Sequence, residues 1–381
     1  MTIKINKEIE YLRALSIILV LISHYSFYFP FIFEKLPDFI RGASYGVGVD
    51  LFFCISGYVV SKAYIEYFDN NISKKIFFPS AISFWLKRIY RLLPSAWLWV
   101  VVGLLFSFLF NQSGVFETPI QNIKSGLSIA FFTANISHMY DALKPNNVYW
   151  SLSLEEQFYF LFPFIILLIR KTKYRVFFLI IIILIQFTIT RNAFGNIYQQ
   201  YAASFRTDGF AWGILIYIFS KTTFYKKINP SNLPYSNTPL VILYFILLLI
   251  LILSPVYFQN QGLGIVAITS ATFVWLASYD SKNIKSFNIE KQLLWIGQHS
   301  YAIYLIHFIP MRVLFEIAFI TKSKSNFDIA NIKYILIIAS LALTFYLASL
   351  NFKYIENPLR IKGKKISEGF LSSRKLQNKG V

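Results

Sequence analysis

Apolar runs about as long as a bilayer-crossing helix, ~20 residues, recur along the 381-residue chain. Ten segments qualify as spans: 9–31, 46–66, 92–110, 150–169, 176–190, 203–220, 239–256, 263–279, 296–320 and 333–352. Short charged clusters separate them. An eleventh apolar stretch, 123–137, is shorter. The pattern predicts an all-α, polytopic transmembrane helical bundle. No internal repeat and no Gly/Ser linker interrupts it.

Composition agrees, since 56% of residues are hydrophobic and a soluble fold cannot hide that share. The net charge of +19 raises a nucleic-acid reading, but the cations sit between apolar runs, so a topogenic role fits better. With the N-terminus inside, cytoplasmic segments hold 26 Lys and Arg and external ones 8, with Arg13, Arg206 and Arg312 left inside spans. Both termini are therefore expected in the cytoplasm. A crossing at 123–137 would put 170-RKTKYR-175 outside, so that stretch reads as a re-entrant or interfacial helix. Lys4 and Lys7 precede the first apolar run as in a signal peptide, yet Arg13 lies within the run and no small-residue cleavage site follows. An uncleaved first span is expected. A membrane domain, 1–360, then leads into a basic tail, 361–381, resting partly on anionic membrane lipid, with no room for a second folded domain. The single cysteine, Cys54, excludes an internal disulfide and a cysteine-based metal site. Richness in Ile, Lys, Asn, Phe and Tyr suggests an AT-rich bacterial genome, hence a bacterial cytoplasmic membrane.

Ionisable groups inside spans carry a functional expectation because burying them unpaired is costly. In 11-YLRALSIILVLISHYSF-27, Arg13 and His24 are eleven positions apart. That returns to within roughly 20° on a helix and rises about 16–17 Å, so both share a face. Taken singly, Arg13 also fits a snorkelling interface residue and His24 a packed one. Asp50, at the outer end of the antiparallel second span, is expected at the depth of His24. Lys87, Arg88 and Arg91 form a cytoplasmic cluster that reads as anchoring or as a phosphate site. Glu155 and Glu156 begin the fourth span on the outer side, where Ser151 or Ser153 could cap the helix. Ser300, Tyr304 and His307 share a face of the ninth span, and Arg206 with Asp208 reads as an intramembrane pair. Glu156, Tyr304, His307, Arg206 and Asp208 are expected to line the interior rather than do chemistry.

These stretches resemble the acyltransferase-3 family of integral membrane acyltransferases. Arg13-x10-His24 is similar to the family's Arg-x10-His motif. The pattern 48-GVDLF-52 precedes 53-FCISGY-58, which resembles Phe-x-x-Ser-Gly-Tyr. Arg88-x-x-Arg91 with Leu-Leu-Pro, 150-WSLSLEEQFY-159, 300-SYAIYLIH-307 and 354-YIENPLR-360 resemble the remaining signatures. Six motifs in order, from Tyr11 to Arg360, make the likeness specific. Many relatives add a C-terminal SGNH-hydrolase-type domain, which is not expected here.

The resemblance implies cytoplasmic acyl-CoA, usually acetyl-CoA, as donor and a hydroxyl of a glycan or lipid-linked sugar as acceptor. It implies no metal. On that reading Arg88, Arg91 and Arg13 hold the charged end of the donor. His24 serves as general base or acyl carrier, oriented by Glu155 or Asp50, and Ser56, Tyr58 or His307 donates to the thioester oxygen. A secondary transporter or flippase is the rival reading, although paired inverted repeats are absent.

Overall fold

The computed structural model describes residues 6–29, 31, 34–192, 196–230, 238–258, 260–280, 289–324 and 333–377. Lys4, Lys282, Lys285 and the last four residues of the expected tail lie outside them. The described residues form helices and connecting turns, without a strand. In chain order the helices are α1 (Lys7–Tyr28), α2 (Asp38–Arg41), α3 (Gly48–Ser73), α4 (Phe77–Leu109), α5 (Pro119–Ala130), α6 (Ala134–Met139) and α7 (Tyr149–Leu168). There follow α8 (Thr172–Thr188), α9 (Ile197–Ser204), α10 (Asp208–Ser220), α11 (Thr223–Lys227), α12 (Thr238–Tyr257) and α13 (Gly262–Ser278). The last are α14 (Glu290–Ile306), α15 (Phe308–Lys324), α16 (Lys333–Asn351) and, after a π-helical turn at Phe352–Glu356, α17 (Asn357–Gln377).

Each expected span contains a helix, but not all are long. Among the described residues, six helices have the length and apolarity to cross a bilayer, or seven if the bent α14–α15 pair counts as one. α8 and α13 have 17 residues each and α10 only 13. The ninth apolar run, expected to be continuous, breaks at His307 with a 49° bend. Pro310 supplies the cause: it lacks an N–H, and its ring collides with the carbonyl four residues back, at Ile306.

The chain divides into two compact units. The first comprises Met1–Tyr67 and Leu168–Ser300. Its helices meet at backbone distance. A Cβ at Gly297 of α14 would overlap the Glu10 carbonyl, and one at Gly48 would overlap that of Ser16. Gly57 of α3 lies against the Phe210 carbonyl, and Gly213 of α10 against that of Cys54. Lipid tails are as apolar as leucine, so such small-residue crossings replace hydrophobic collapse as the packing device. The glycine of 53-FCISGY-58 is thus a crossing point. Asn6 caps α1 by accepting from the Ile9 N–H at 3.0 Å and donates to the Ala277 carbonyl at 2.9 Å.

The second unit comprises Phe68–Leu167 and Tyr301–Val381, with α4 as its spine. Tyr149 Oη donates to the Ala96 carbonyl at 3.0 Å, and Trp85 Nε1 to that of Tyr159 at 3.2 Å, so α7 runs antiparallel to α4. Phe68, Phe84 and Phe162 fill the core between them, with ring centroids 5.7–6.2 Å apart. The segment after Arg360, expected as a lipid-bound tail, is helical through α17 and packs along α4. Gly363 meets the Tyr90 side chain there, with no room for a Cβ, whereas Gly369 faces open space. Gly363→Ala is expected to destabilise the protein by about 1–3 kcal/mol through overpacking. Gly369→Ala should stabilise it by about 0.5–1 kcal/mol, because it removes only a helix-interior glycine. Thermal midpoints in detergent check both signs.

Candidate active site

In the first unit Arg13 and His24 lie on one uninterrupted helix, both half-buried. Arg13 Nη1 donates to Glu10 Oε1 at 2.8 Å. Glu10, buried and absent from the sequence reading, is one turn upstream, a spacing that could have exposed it. Beyond the first loop, Gly46 lies against Ser23 and Gly48 against Ser16 and Leu19, so the chain enters α3 antiparallel to α1. Asp50 is therefore level with Ser16, about 12 Å along the axis from His24. The expected shared depth of Asp50 and His24 is not found. Asp50 Oδ2 accepts from Arg206 Nη1 at 2.9 Å. The expected Arg206–Asp208 pair is likewise replaced. Asp208 takes Arg191 in a bidentate bridge at 2.9 and 2.7 Å, with side chains 4% and 2% exposed. Residues two apart at a helix start point to different sides and cannot close a pair. Arg191, counted among the external cations, gave no signal because its partner is on the next apolar helix. Tyr58 is buried and accepts from Lys62 Nζ at 3.4 Å, while Ser56 is half-buried.

In the second unit every polar residue of 151-SLSLEEQ-157 has a defined place. Ser151 shares a hydrogen bond of 2.6 Å with Tyr304 Oη, which also donates to the Val148 carbonyl at 3.0 Å. Ser153 Oγ accepts from the Ala134 N–H at 3.3 Å, so it serves the start of α6 and not its own helix. Gln157 Nε2 donates to the Phe132 carbonyl at 2.7 Å and to Asn135 Oδ1 at 3.0 Å. These bonds hold the tip of an α5–α6 hairpin. The segment returns on itself, since Gln121 Nε2 donates to the Ala142 carbonyl at 2.9 Å and Asn146 Nδ2 to Ser125 Oγ at 2.8 Å. The stretch 123–137 is thus a hairpin of short helices packed against α4 near Val100 and Gly103.

That hairpin changes the depth of the glutamates. α7 begins beside Ala96, midway along α4, so Glu155 falls level with Arg88 of α4. Tyr159 Oη donates to Glu155 Oε1. The buried Arg88 guanidinium lies over the Tyr159 ring at 4.6 Å and the Phe84 ring at 5.5 Å. Glu156, buried on the next position, is within electrostatic reach of Glu155 and Arg88. Tyr301 Oη donates to the Leu92 carbonyl at 2.6 Å and is within electrostatic reach of both glutamates and of Glu356 in the π-turn. Arg360 is within electrostatic reach of Arg91 and Glu356. Tyr159, Tyr301, Glu356 and Arg360 were not singled out from sequence. Tyr159 lies four residues from Glu155, a helical neighbour, and was legible.

His307 is fully buried at the α14–α15 break, with Nδ1 2.9 Å from the Tyr304 carbonyl and 3.2 Å from that of Ile303. It serves the end of α14. Arg312 Nη2 donates to the Pro145 carbonyl at 2.6 Å, and Glu316 accepts from the Ser113 N–H at 3.1 Å, so both buried charges of α15 pin the loops around the hairpin. Among the described residues no cluster of His, Cys, Asp and Glu could hold a metal ion.

Residues 6–354 match the acyltransferase domain of the acyltransferase-3 family. The O-acetyltransferase OatA of Staphylococcus aureus strain MRSA252 is 29% identical over 352 residues, covering 87% of this chain and 55% of that protein. The peptidoglycan O-acetyltransferase OatA of Listeria monocytogenes is 26% identical over 381 residues, covering 93% of this chain and 56% of that protein. The putative peptidoglycan O-acetyltransferase YrhL of Bacillus subtilis is 25% identical over 339 residues, covering 83% and 51%. The chain spans about half the length of the curated relatives it matches. No solved structure matches it.

Proposed function

Because the chain belongs to the acyltransferase-3 family, we propose that it is a multi-pass membrane O-acyltransferase of the bacterial cytoplasmic membrane, moving an acetyl group from cytoplasmic acetyl-CoA to a glycan hydroxyl. Peptidoglycan is the acceptor this reading favours, since two of the relatives carry it in their names. Ten crossings with both termini in the cytoplasm remain part of the proposal, on the strength of the charge distribution.

The observation that carries the reading is α1, where a helix without a break joins Arg13 to His24. The two lie about 16–17 Å apart along the axis, a length that an extended pantetheine arm can cover. Arg13 marks the donor end and His24 the acceptor end. By residue chemistry alone, Arg88 and Arg91 are the candidates for the donor's phosphates, since a planar guanidinium suits the anion. His24 takes the proton of the acceptor hydroxyl as its oxygen attacks the thioester carbonyl. The C–S bond breaks and the sulfur leaves as CoA thiol. An acyl-His24 intermediate would divide the same transfer into two steps. Ser56 and Tyr58 are the candidates for polarising the thioester oxygen.

Mass spectrometry of wall glycans from cells with and without the protein tests the proposal. One added acetyl per modified disaccharide, present only with the protein and lost under mild base, is the expected result. Identical glycan masses in both strains would refute it.

A further inference from the structure

We propose that Tyr159 is a positioning residue that holds the donor arginine Arg88 and the carboxylate Glu155 in one register. The inference rests on the acyltransferase reading above and adds a role that none of the motifs assigns. Tyr159 uses three different parts of itself. Its hydroxyl donates to Glu155 Oε1, its ring face lies 4.6 Å from the Arg88 guanidinium carbon, and its backbone carbonyl accepts from Trp85 Nε1 at 3.2 Å. It is 4% exposed, and its ring also packs on Phe84 at 6.4 Å, which itself underlies Arg88.

This arrangement suits a binding arginine. A stack engages the face of the guanidinium and leaves its in-plane N–H donors to other partners, so the cation is fixed in orientation. At the edge of the same ring the hydroxyl fixes one carboxylate oxygen. An anion docked on Arg88 is thereby registered against Glu155 through a single rigid side chain, and the indole of Trp85 ties that side chain's helix to α4.

Two substitutions separate the two functions. Tyr159→Phe keeps the ring and removes the hydroxyl. It is expected to leave the KM for acetyl-CoA within about twofold of wild type and to lower kcat about tenfold or more, as loss of a hydrogen bond to a charged group does. Tyr159→Leu removes both contacts and is expected to raise the KM about fivefold or more in addition. Free CoA thiol released by purified protein in the presence of glycan fragments is the readout, with acetyl-CoA binding measured in parallel. Wild-type kcat in Tyr159→Phe would overturn the inference, as would equal KM values in the Phe and Leu variants. If Tyr159→Leu fails to insert, kcat of the Phe variant alone decides. Absence of thiol release from the wild-type protein would instead strike the acyltransferase reading itself.

Discussion

His24→Ala is expected to reduce acetyl transfer about 10²–10⁴-fold while the protein inserts and melts as wild type does. The backbone crossings of α1 lie at other positions, Glu10 against Gly297 and Ser16 against Gly48, and His24 is half-buried near the end of the helix. Loss of the imidazole removes the only proton acceptor on the α1 face that begins at Arg13, so an effect on transfer without one on stability is the signature of a reacting group. Thiol release measured alongside the thermal midpoint checks both halves. Retained transfer in a well-folded His24→Ala protein removes His24 from the chemistry. If His24 carries the acyl group, wild-type protein mixed with acetyl-CoA alone will also show one added acetyl on the α1 peptide.

Asp208→Ala is expected to cost about 3–5 kcal/mol of stability, the largest structural effect of a single substitution in the first unit. Arg191 and Asp208 form a bidentate bridge with side chains only 2% and 4% exposed. Removing the carboxylate leaves a guanidinium buried without its counter-charge. The bridge itself is not a large net gain, because both ions lose hydration when it forms. The double variant Asp208→Ala with Arg191→Met should therefore recover most of the loss. A double-mutant cycle on thermal or denaturant midpoints measures the coupling. Additive losses from the two single variants would show that the bridge does not act as a unit.

Helical periodicity made α1 readable: eleven positions close on one face whatever surrounds them, and Arg13 and His24 do share an unbroken helix. The expectation that 123–137 is a re-entrant or interfacial helix came from charge, since a crossing there would invert 170-RKTKYR-175, and the segment folds as a hairpin of short helices. What could not be read was depth. Glu155 opens an apolar run and so was expected on the outer side, and nothing in that run reveals that its helix starts midway along α4 and carries the α5–α6 hairpin through Gln157. Hydropathy counts residues and does not reveal that a loop has folded inward. Charge partners were equally hidden. Arg206 and Asp208 are close in sequence yet bond to Asp50 and Arg191, which only the packing of α3 and α10 and the connection after α8 bring near. The break at His307 was available from Pro310, whose effect on a helix is local.

Transfer across the bilayer is the central claim, and reconstitution tests it most directly. Proteoliposomes containing the purified protein would be loaded with acetyl-CoA labelled in the acetyl group, with peptidoglycan fragments supplied outside. The account predicts ester-linked label on the external fragments, an equal amount of CoA thiol inside, and neither with His24→Ala. Intact acetyl-CoA inside, together with unmodified fragments crossing into the vesicles, would contradict it and identify a transporter.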